Sequence, residues 1–321
     1  MNRLTPVQSG PHTPPVPTQE QIVLSADGAR LHVEVHGTEG APAVVLVHSW
    51  ACQAILWAAI TRALAVDHRV VLYDQRGHGR SPAASMPGGY STRVLADDLQ
   101  AVLGAALAAE ERVVLAGHSM GGMALMAAAN REAVRKQAAA VLLCNTATSR
   151  LLTDSQVIPL RSERLCKWLH RVLLGSRASL GPITPITKRI FQYATMGPAS
   201  TPEMVQACAR VVHACPSSVR AGWERILADL GLDEQLAQLT MPIAVIAGLA
   251  DRLTPPGQAR RIAAALPHCV GLAEPPRLGH MTPEETPETI EGVIRSLVRD
   301  HLPAPGLEPV RRQPPLEEKT S

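Results

Sequence analysis

Aromatic side chains are scarce in this chain: four Trp, three Tyr and one Phe in 321 residues. Any substrate cavity must therefore be lined mainly by Leu, Met, Ala and Val. Cysteine is thinly spread as well. Cys52, Cys144, Cys166, Cys208, Cys215 and Cys269 form no C-x-x-C pair and have no partnered histidines at metal spacing. That pattern argues against a disulfide scaffold or a structural zinc site and predicts free thiols in a reducing compartment. Neither sign of charge is in surplus, since Lys+Arg 31 against Asp+Glu 28 leaves +3. Nucleic acid is thus not expected as a partner, nor an anionic membrane as the main one. No apolar run is long enough to cross a bilayer, and the N-terminal stretch has no apolar h-region of a secretory signal. The expectation is a cytoplasmic protein.

What is present is a regular alternation. Residues 1–20 are proline-rich with polar spacers and read as an extended, disordered arm; 303–321 read the same way. Between them, short β-branched runs alternate with longer helical patterns, which predicts an α/β fold with a mostly parallel sheet covered by helices on both faces. The predicted strands are 21–25, 31–35, 43–47, 69–73, 112–116, 139–143, 243–247 and 269–272, with helices over 91–109 and 285–300. Several strands are continuous apolar runs, as in sheets buried on both faces. The rhythm breaks over 148–239, a helical, proline-punctuated stretch too long for an ordinary connection. It is read as an inserted helical cap, dividing a core made of 21–147 and 240–302.

The chemistry-bearing segment is VVLAGHSMGGMALMAAA, residues 113–129. An apolar strand runs into Gly117-His118-Ser119-Met120-Gly121 and on into a small-residue helix, the strand–turn–helix setting of a G-x-S-x-G nucleophile elbow. The sharp turn strains the backbone at Ser119, and glycines on either side let the chain pass. The helix starting at Met120 points N–H groups and its positive end at the serine oxygen. A serine hydroxyl needs a base. Of twelve histidines, His280 has the right setting, on a loop after the last predicted strand and before the final helix. His118, beside the nucleophile, is expected to point away and serve structure.

The base in turn needs an acid. Asp251 sits on the loop after the strand 243–247, with Thr254-Pro255 opening a helix. Its bland role is an Asx turn or helix cap. The chain order Ser119, Asp251, His280 matches one known triad arrangement. The alternative acid position, after the strand ending near Leu143, holds Asn145, which carries no charge. Oxyanion donors are expected at the backbone N–H groups of Trp50 and Met120, beyond His48-Ser49 and at the start of the elbow helix. The run Asp74-Gln-Arg-Gly77-His-Gly79-Arg-Ser81 has no third glycine and no Gly-Lys-Ser/Thr, so it is neither a dinucleotide nor a phosphate loop. It is expected to be a structural turn with internal polar bonds.

The segments VVLVHSW, LYDQRGHGRS, AGHSMGGM, AGLADRLTP and LGHMTPEETPE together resemble the α/β-hydrolase family, over about residues 21–301. The resemblance implies an eight-stranded, mostly parallel sheet with the active site beneath a helical cap. It also implies Ser119 as nucleophile, His280 as base and Asp251 as its partner. One departure is His48-Ser49 where the family commonly has His-Gly, which bears on the Trp50 donor.

The leading expectation is a carboxylic ester hydrolase acting through an acyl-enzyme on a small apolar ester, with no organic cofactor or metal. The second is a cofactor-free triad enzyme acting on a lactone, on a carbon–carbon bond beside a ketone, or by perhydrolysis. The third is a non-catalytic ligand-binding member of the fold. The expectation of apolar acyl groups rests on the amphipathic stretch 164–175, with Leu165, Trp168, Leu169, Val172 and Leu173 on one face. That stretch is read as covering a greasy pocket, with weak contact to a lipid surface as its other reading.

Overall fold

Eight apolar runs become eight strands of one sheet in the computed structural model, which describes residues 13–86, 88–158 and 177–302. They are β1 (Gln19–Leu24), β2 (Arg30–His36), β3 (Ala43–Val47), β4 (Arg69–Tyr73), β5 (Val113–His118), β6 (Ala138–Cys144), β7 (Ile243–Ile246) and β8 (Cys269–Ala273). Their spatial order is β1-β2-β4-β3-β5-β6-β7-β8. The β1–β2 and β2–β4 pairs are antiparallel, and every pair from β4 to β8 is parallel. β1 begins at Gln19 and so takes in two residues of the stretch read as an arm, because Thr18 and the residues after it pair with β2. Residues 1–12 and 303–321, and with them most of the arm and the tail, lie outside the described residues.

The centre of the sheet is buried on both sides, and side-chain alternation feeds two apolar layers. Val45 and Val47 of β3 face one layer, and Val44 and Leu46 the other. The first layer is closed by α2 (Thr92–Ala106) and α3 (Met120–Ala127). The second is closed by α1 (Ala58–Leu64) and the last helix. Ser91, counted as helical from sequence, is the N-cap of α2, its hydroxyl accepting from Val94 N at 3.1 Å. The expected helix 285–300 is two pieces, a short turn Thr282–Glu285 and then Pro287–His301. Pro287 lacks an N–H and forces Thr286 out of the helical region, to φ −151° and ψ 61°.

Between β6 and β7 the chain leaves the sheet and returns some hundred residues later. The described part of this insertion contains α4 (Pro185–Thr195), α5 (Pro202–Ala214) and α6 (Ser217–Ala228). The stretch 164–175 on which the pocket-covering and lipid-contact readings rest lies outside the described residues. An isolated bridge between Ser149 and Gly231 ties the two ends of the insertion together. Among the described residues, no helix is long and apolar enough to cross a membrane.

Candidate active site

Four loops meet at the C-terminal edge of the parallel strands, where ligand sites of open α/β sheets lie. The first is the β5–α3 turn. Ser119 stands there at φ 53° and ψ −115°, a conformation costly for a residue with a side chain. Glycines make the turn passable. A Cβ on Gly121 would lie 2.1 Å from the Val47 carbonyl oxygen, and one on Gly117 would lie 2.6 Å from backbone atoms of Gly121 and Gly122. The strained turn is held by Ser119 N donating to Cys144 O at 2.9 Å and by Thr146 Oγ1 donating to Ser119 O at 2.8 Å.

The second and third loops bring Asp251 and His280 together. His280 Nδ1 lies 2.9 Å from Asp251 Oδ2, with both side chains buried. Asp251 divides its two oxygens. Oδ1 accepts Leu253 N and Thr254 N at 2.8 and 3.0 Å, the Asx-type turn of the bland reading. Oδ2 accepts from the His280 ring, from Asn145 Nδ2 at 2.7 Å and from Thr254 Oγ1 at 2.7 Å. Burial pushes this carboxyl up, but the His280 ring and the Asn145 and Thr254 bonds outweigh it and hold Asp251 below its ordinary value. Nδ1 is the ring nitrogen that meets the carboxylate, so Nε2 is the one Asp251 does not engage. Among the described residues no hydrogen bond joins Ser119 Oγ to the His280 ring. The two are neighbours through His118, whose Nε2 donates to His280 O at 2.7 Å and whose ring centroid lies 5.0 Å from that of His280.

Asn145 and Thr254 are contributors that the sequence reading missed. From sequence, Asn145 matters only as an acid position without charge. Its amide instead bonds Asp251 and Gly279 O, while its Oδ1 accepts from Thr282 Oγ1 at 2.7 Å. It does so from φ 43°, a region that Asn tolerates better than most residues. Its place at the end of a strand beside the acid's strand was the available signal. His118, expected to point away and serve structure, supports His280 through the bond to its carbonyl. Burial and the neighbouring His280 push its ring down to about 3, so it stays neutral.

The fourth loop is 48–54, next to the β4 loop 74–81. The latter has the internal polar bonds expected of it, Arg80 N donating to Asp74 Oδ2 at 2.9 Å and His78 N to Gln75 O at 2.8 Å, and it also carries its neighbour. Gln75 N donates to His48 Nε2 at 2.8 Å, Ala51 N to His78 Nε2 at 3.0 Å, and Ala54 N to Asp74 Oδ1 at 2.9 Å. Both imidazoles are buried and neutral. Burial and the nearby His78 push His48 far down, and burial pushes His78 down to about 4. Ser49, at the position where glycine is common, has no positive φ; the left-handed residue of this turn is Ala51, at φ 57°. Trp50 is half-buried, its indole donating to Arg220 O in the insertion at 3.1 Å.

A model of the α/β-hydrolase fold family matches residues 42–287. The chain belongs to that family. Among the relatives of this α/β-hydrolase is a pimeloyl-[acyl-carrier protein] methyl ester esterase of Xanthomonas oryzae pv. oryzae. It is 29% identical over 277 residues, covering 83% of this chain and all of that one. A protein of Mycobacterium tuberculosis named "Probable oxidoreductase EphD" is 36% identical over 110 residues. That match takes in 34% of this chain and 18% of the mycobacterial protein, so it spans under a fifth of that relative's length. Among solved structures, an esterase from Exiguobacterium antarcticum superposes with a TM-score of 0.73 at 20% identity, over 88% of this chain and 100% of its own, which bears on the fold alone.

Burial pushes the Cys52 thiol up to about 11, so it is inert as a nucleophile beside the site. Glu20, His32 and Glu34 are close enough to share a cation. The Arg80 guanidinium already pairs with both carboxylates there, so the group reads as an ion-pair cluster on the β1–β2 hairpin.

Proposed function

We propose that this hydrolase cleaves carboxylic esters with Ser119 as nucleophile, His280 as general base and then acid, and Asp251 holding the imidazole. The observation that carries the reading is the Asp251–His280 pair at 2.9 Å, seated on the residue next to a serine in a strained elbow. Ser119 Oγ attacks the carbonyl carbon while its proton passes to His280 Nε2. Asp251, held low by that ring and its other donors, stabilises the imidazolium formed. The tetrahedral oxyanion takes hydrogen bonds from the N–H groups of Met120, at the head of α3, and Trp50. Each such donor contributes about 2.7–4 kcal/mol in the transition state. His280 then protonates the leaving alkoxide, giving an alcohol and an acyl-serine. Water attacks the acyl carbon, gives its proton to His280, and the carboxylic acid leaves as Ser119 regains its hydrogen.

Apolar acyl groups fit the surroundings. Cys52 and Leu56 beside the Trp50 loop, Met281 beside His280, and Met196, Val205 and Cys208 of the insertion form one apolar cluster where these three elements meet. The reading is tested by a fluorophosphonate probe together with p-nitrophenyl esters of graded chain length. The wild type is expected to be labelled and to prefer butyrate- to octanoate-length esters over short charged ones. Ser119→Ala is expected to lose labelling and at least about a thousandfold in kcat. A Ser119→Ala protein that keeps its activity would end the proposal, and faster turnover of lactones than of esters would move the chemistry to that bond.

A further inference from the structure

Glu285 lies five residues after His280, on the short helical turn Thr282–Glu285, and none of the roles above uses it. Its carboxylate collects backbone donors on both sides of His280: Gly279 N at 3.0 Å and Met281 N at 3.1 Å. The same carboxylate reaches the insertion, accepting Gly197 N at 2.7 Å and Ser200 Oγ at 2.8 Å. Among the described residues no Lys or Arg pairs with it, so its charge is met by N–H and O–H dipoles alone. Hydrogen bonds to a charged acceptor are roughly twice as strong as neutral ones.

The backbone beneath this carboxylate is a close crossing of two chains. A Cβ on Gly279 would stand 2.4 Å from Gly197 N, and a Cβ on Gly197 would stand 2.0 Å from Arg277 O and 2.7 Å from Gly279 N. Glycine on both strands of the crossing lets the His280 loop and the insertion touch backbone to backbone, and Glu285 ties them there. His280 N donates to Thr195 O at 2.8 Å, two residues before Gly197, so the imidazole-bearing residue is itself bonded to the same segment.

We infer that Glu285 is the positioning residue of His280, fixing the imidazole's backbone and locking its placement to that of the inserted helices through Gly197 and Ser200. The role rests on the triad reading for its catalytic consequence and on the hydrogen bonds alone for its mechanical one. A carboxylate that merely stabilised its own helical turn would leave residues 195–200 unaffected when altered. A joint moves both segments at once. Displacing a base by a fraction of an ångström costs turnover rather than binding, because Nε2 matters most when the proton moves.

Glu285→Gln keeps the size and one acceptor oxygen but sets an amide NH2 against N–H donors. With p-nitrophenyl butyrate as probe, kcat is expected to fall by about tenfold to a hundredfold with KM held within about twofold. Ser200→Ala, which removes one donor on the insertion side, is expected to lower kcat by less than about threefold. Glu288→Gln, an exposed acid on the following helix, serves as the control with wild-type kinetics. Amide exchange read by mass spectrometry supplies a readout that needs no activity. In Glu285→Gln, residues 277–282 and 195–200 should both exchange faster, and in Glu288→Gln neither should. A Glu285→Gln enzyme with kcat within twofold of wild type, or with faster exchange in only one of the two segments, overturns the inference. A wild type that neither turns over esters nor takes the fluorophosphonate label would instead sink the hydrolase reading, while the exchange result still decides the mechanical role of Glu285.

Discussion

Two helices of the same insertion, of nearly the same length, are bound to the protein in opposite ways. α6 buries six of its twelve residues, among them Val219, Trp223 and Leu227, and so joins the apolar layer under the sheet. α4 buries none of its eleven, leaving Ile186, Ile190 and Tyr193 in solvent. Phe191 packs against the apolar cluster of Met196 and Val205, and the rest of the helix's attachment is at its end: Thr195 O receives His280 N, and Tyr193 O receives Arg252 Nη1 at 2.9 Å with the guanidinium stacked 4.4 Å over the tyrosine ring. The insertion is therefore not one rigid shield. Among its described helices, α6 is an extension of the core, and α4 hangs from the loops that carry His280 and Asp251. Side chains on the exposed face of α4 can change with little effect on folding, whereas the α6 side is part of the scaffold.

The sharpest way to break this contrast is at Trp223. The indole is fully buried, packs edge-on to Tyr90 with centroids 5.0 Å apart, and donates to Arg76 O at 3.0 Å. Even the neighbouring Gly222 has no room to spare, since a Cβ there would meet the Tyr90 ring at 2.6 Å. Trp223→Ala is expected to cost about 3–5 kcal/mol in urea unfolding through the cavity it opens. Trp223→Phe keeps most of the packing and should cost nearer the about 1–3 kcal/mol of an orphaned carbonyl. A Trp223→Ala loss below about 1 kcal/mol would mean that α6 is a docked lid after all.

Acid should act on the α6 side as well. The Arg76 loop that anchors Trp223 also carries His78, whose ring accepts Ala51 N and is pushed by burial down to about 4. In the unfolded chain that ring takes a proton below about 6.5. Between those limits the unfolded state binds more protons, so stability falls as pH drops from about 6.5 towards 4, by about 1.4 kcal/mol per pH unit for each such imidazole. His118, pushed down to about 3, and His48 add to the effect with the same sign. Amide exchange corrected for its intrinsic pH dependence should therefore speed up in α6 between pH 6.5 and 4.5. It should change little in α4, which has little burial to lose. Flat protection of α6 across that window would show that the His78 contact to Ala51 carries no weight in the fold.

How much of this was legible in the sequence follows the same division. The strands at the sheet centre are continuous apolar runs, and 43–47 and 69–73 appear with the expected bounds. The elbow was legible because its glycines are dictated by hard contacts: only a residue without Cβ fits 2 Å from the Val47 carbonyl. Asp251 and His280 could be picked out by chain order and loop setting. What the sequence hid were bonds between loops far apart in the chain. Asn145 to Asp251, His118 to His280 O and Ala51 to His78 leave no local trace, because each bond forms only when the sheet brings one strand end beside another. The division of the insertion was hidden too. α4 and α6 have similar amphipathic periodicity, and only tertiary packing decides which apolar stripe finds a partner.

The smallest expected effect is also the one that sharpens the contrast most. Ile190 is 63% exposed and Ile186 72% exposed, on a helix that buries nothing. Truncating a side chain that water already surrounds removes almost no buried area, and alanine has the higher helix propensity. Ile190→Ala and Ile186→Ala should each change unfolding stability by less than about 0.5 kcal/mol, and a slight gain is as consistent with the physics as a slight loss. Were either to cost more than about 1.5 kcal/mol, a burial of the size seen for core isoleucines would have to exist on that face. α4 would then belong to the scaffold no less than α6, and the freedom assigned to α4 would disappear.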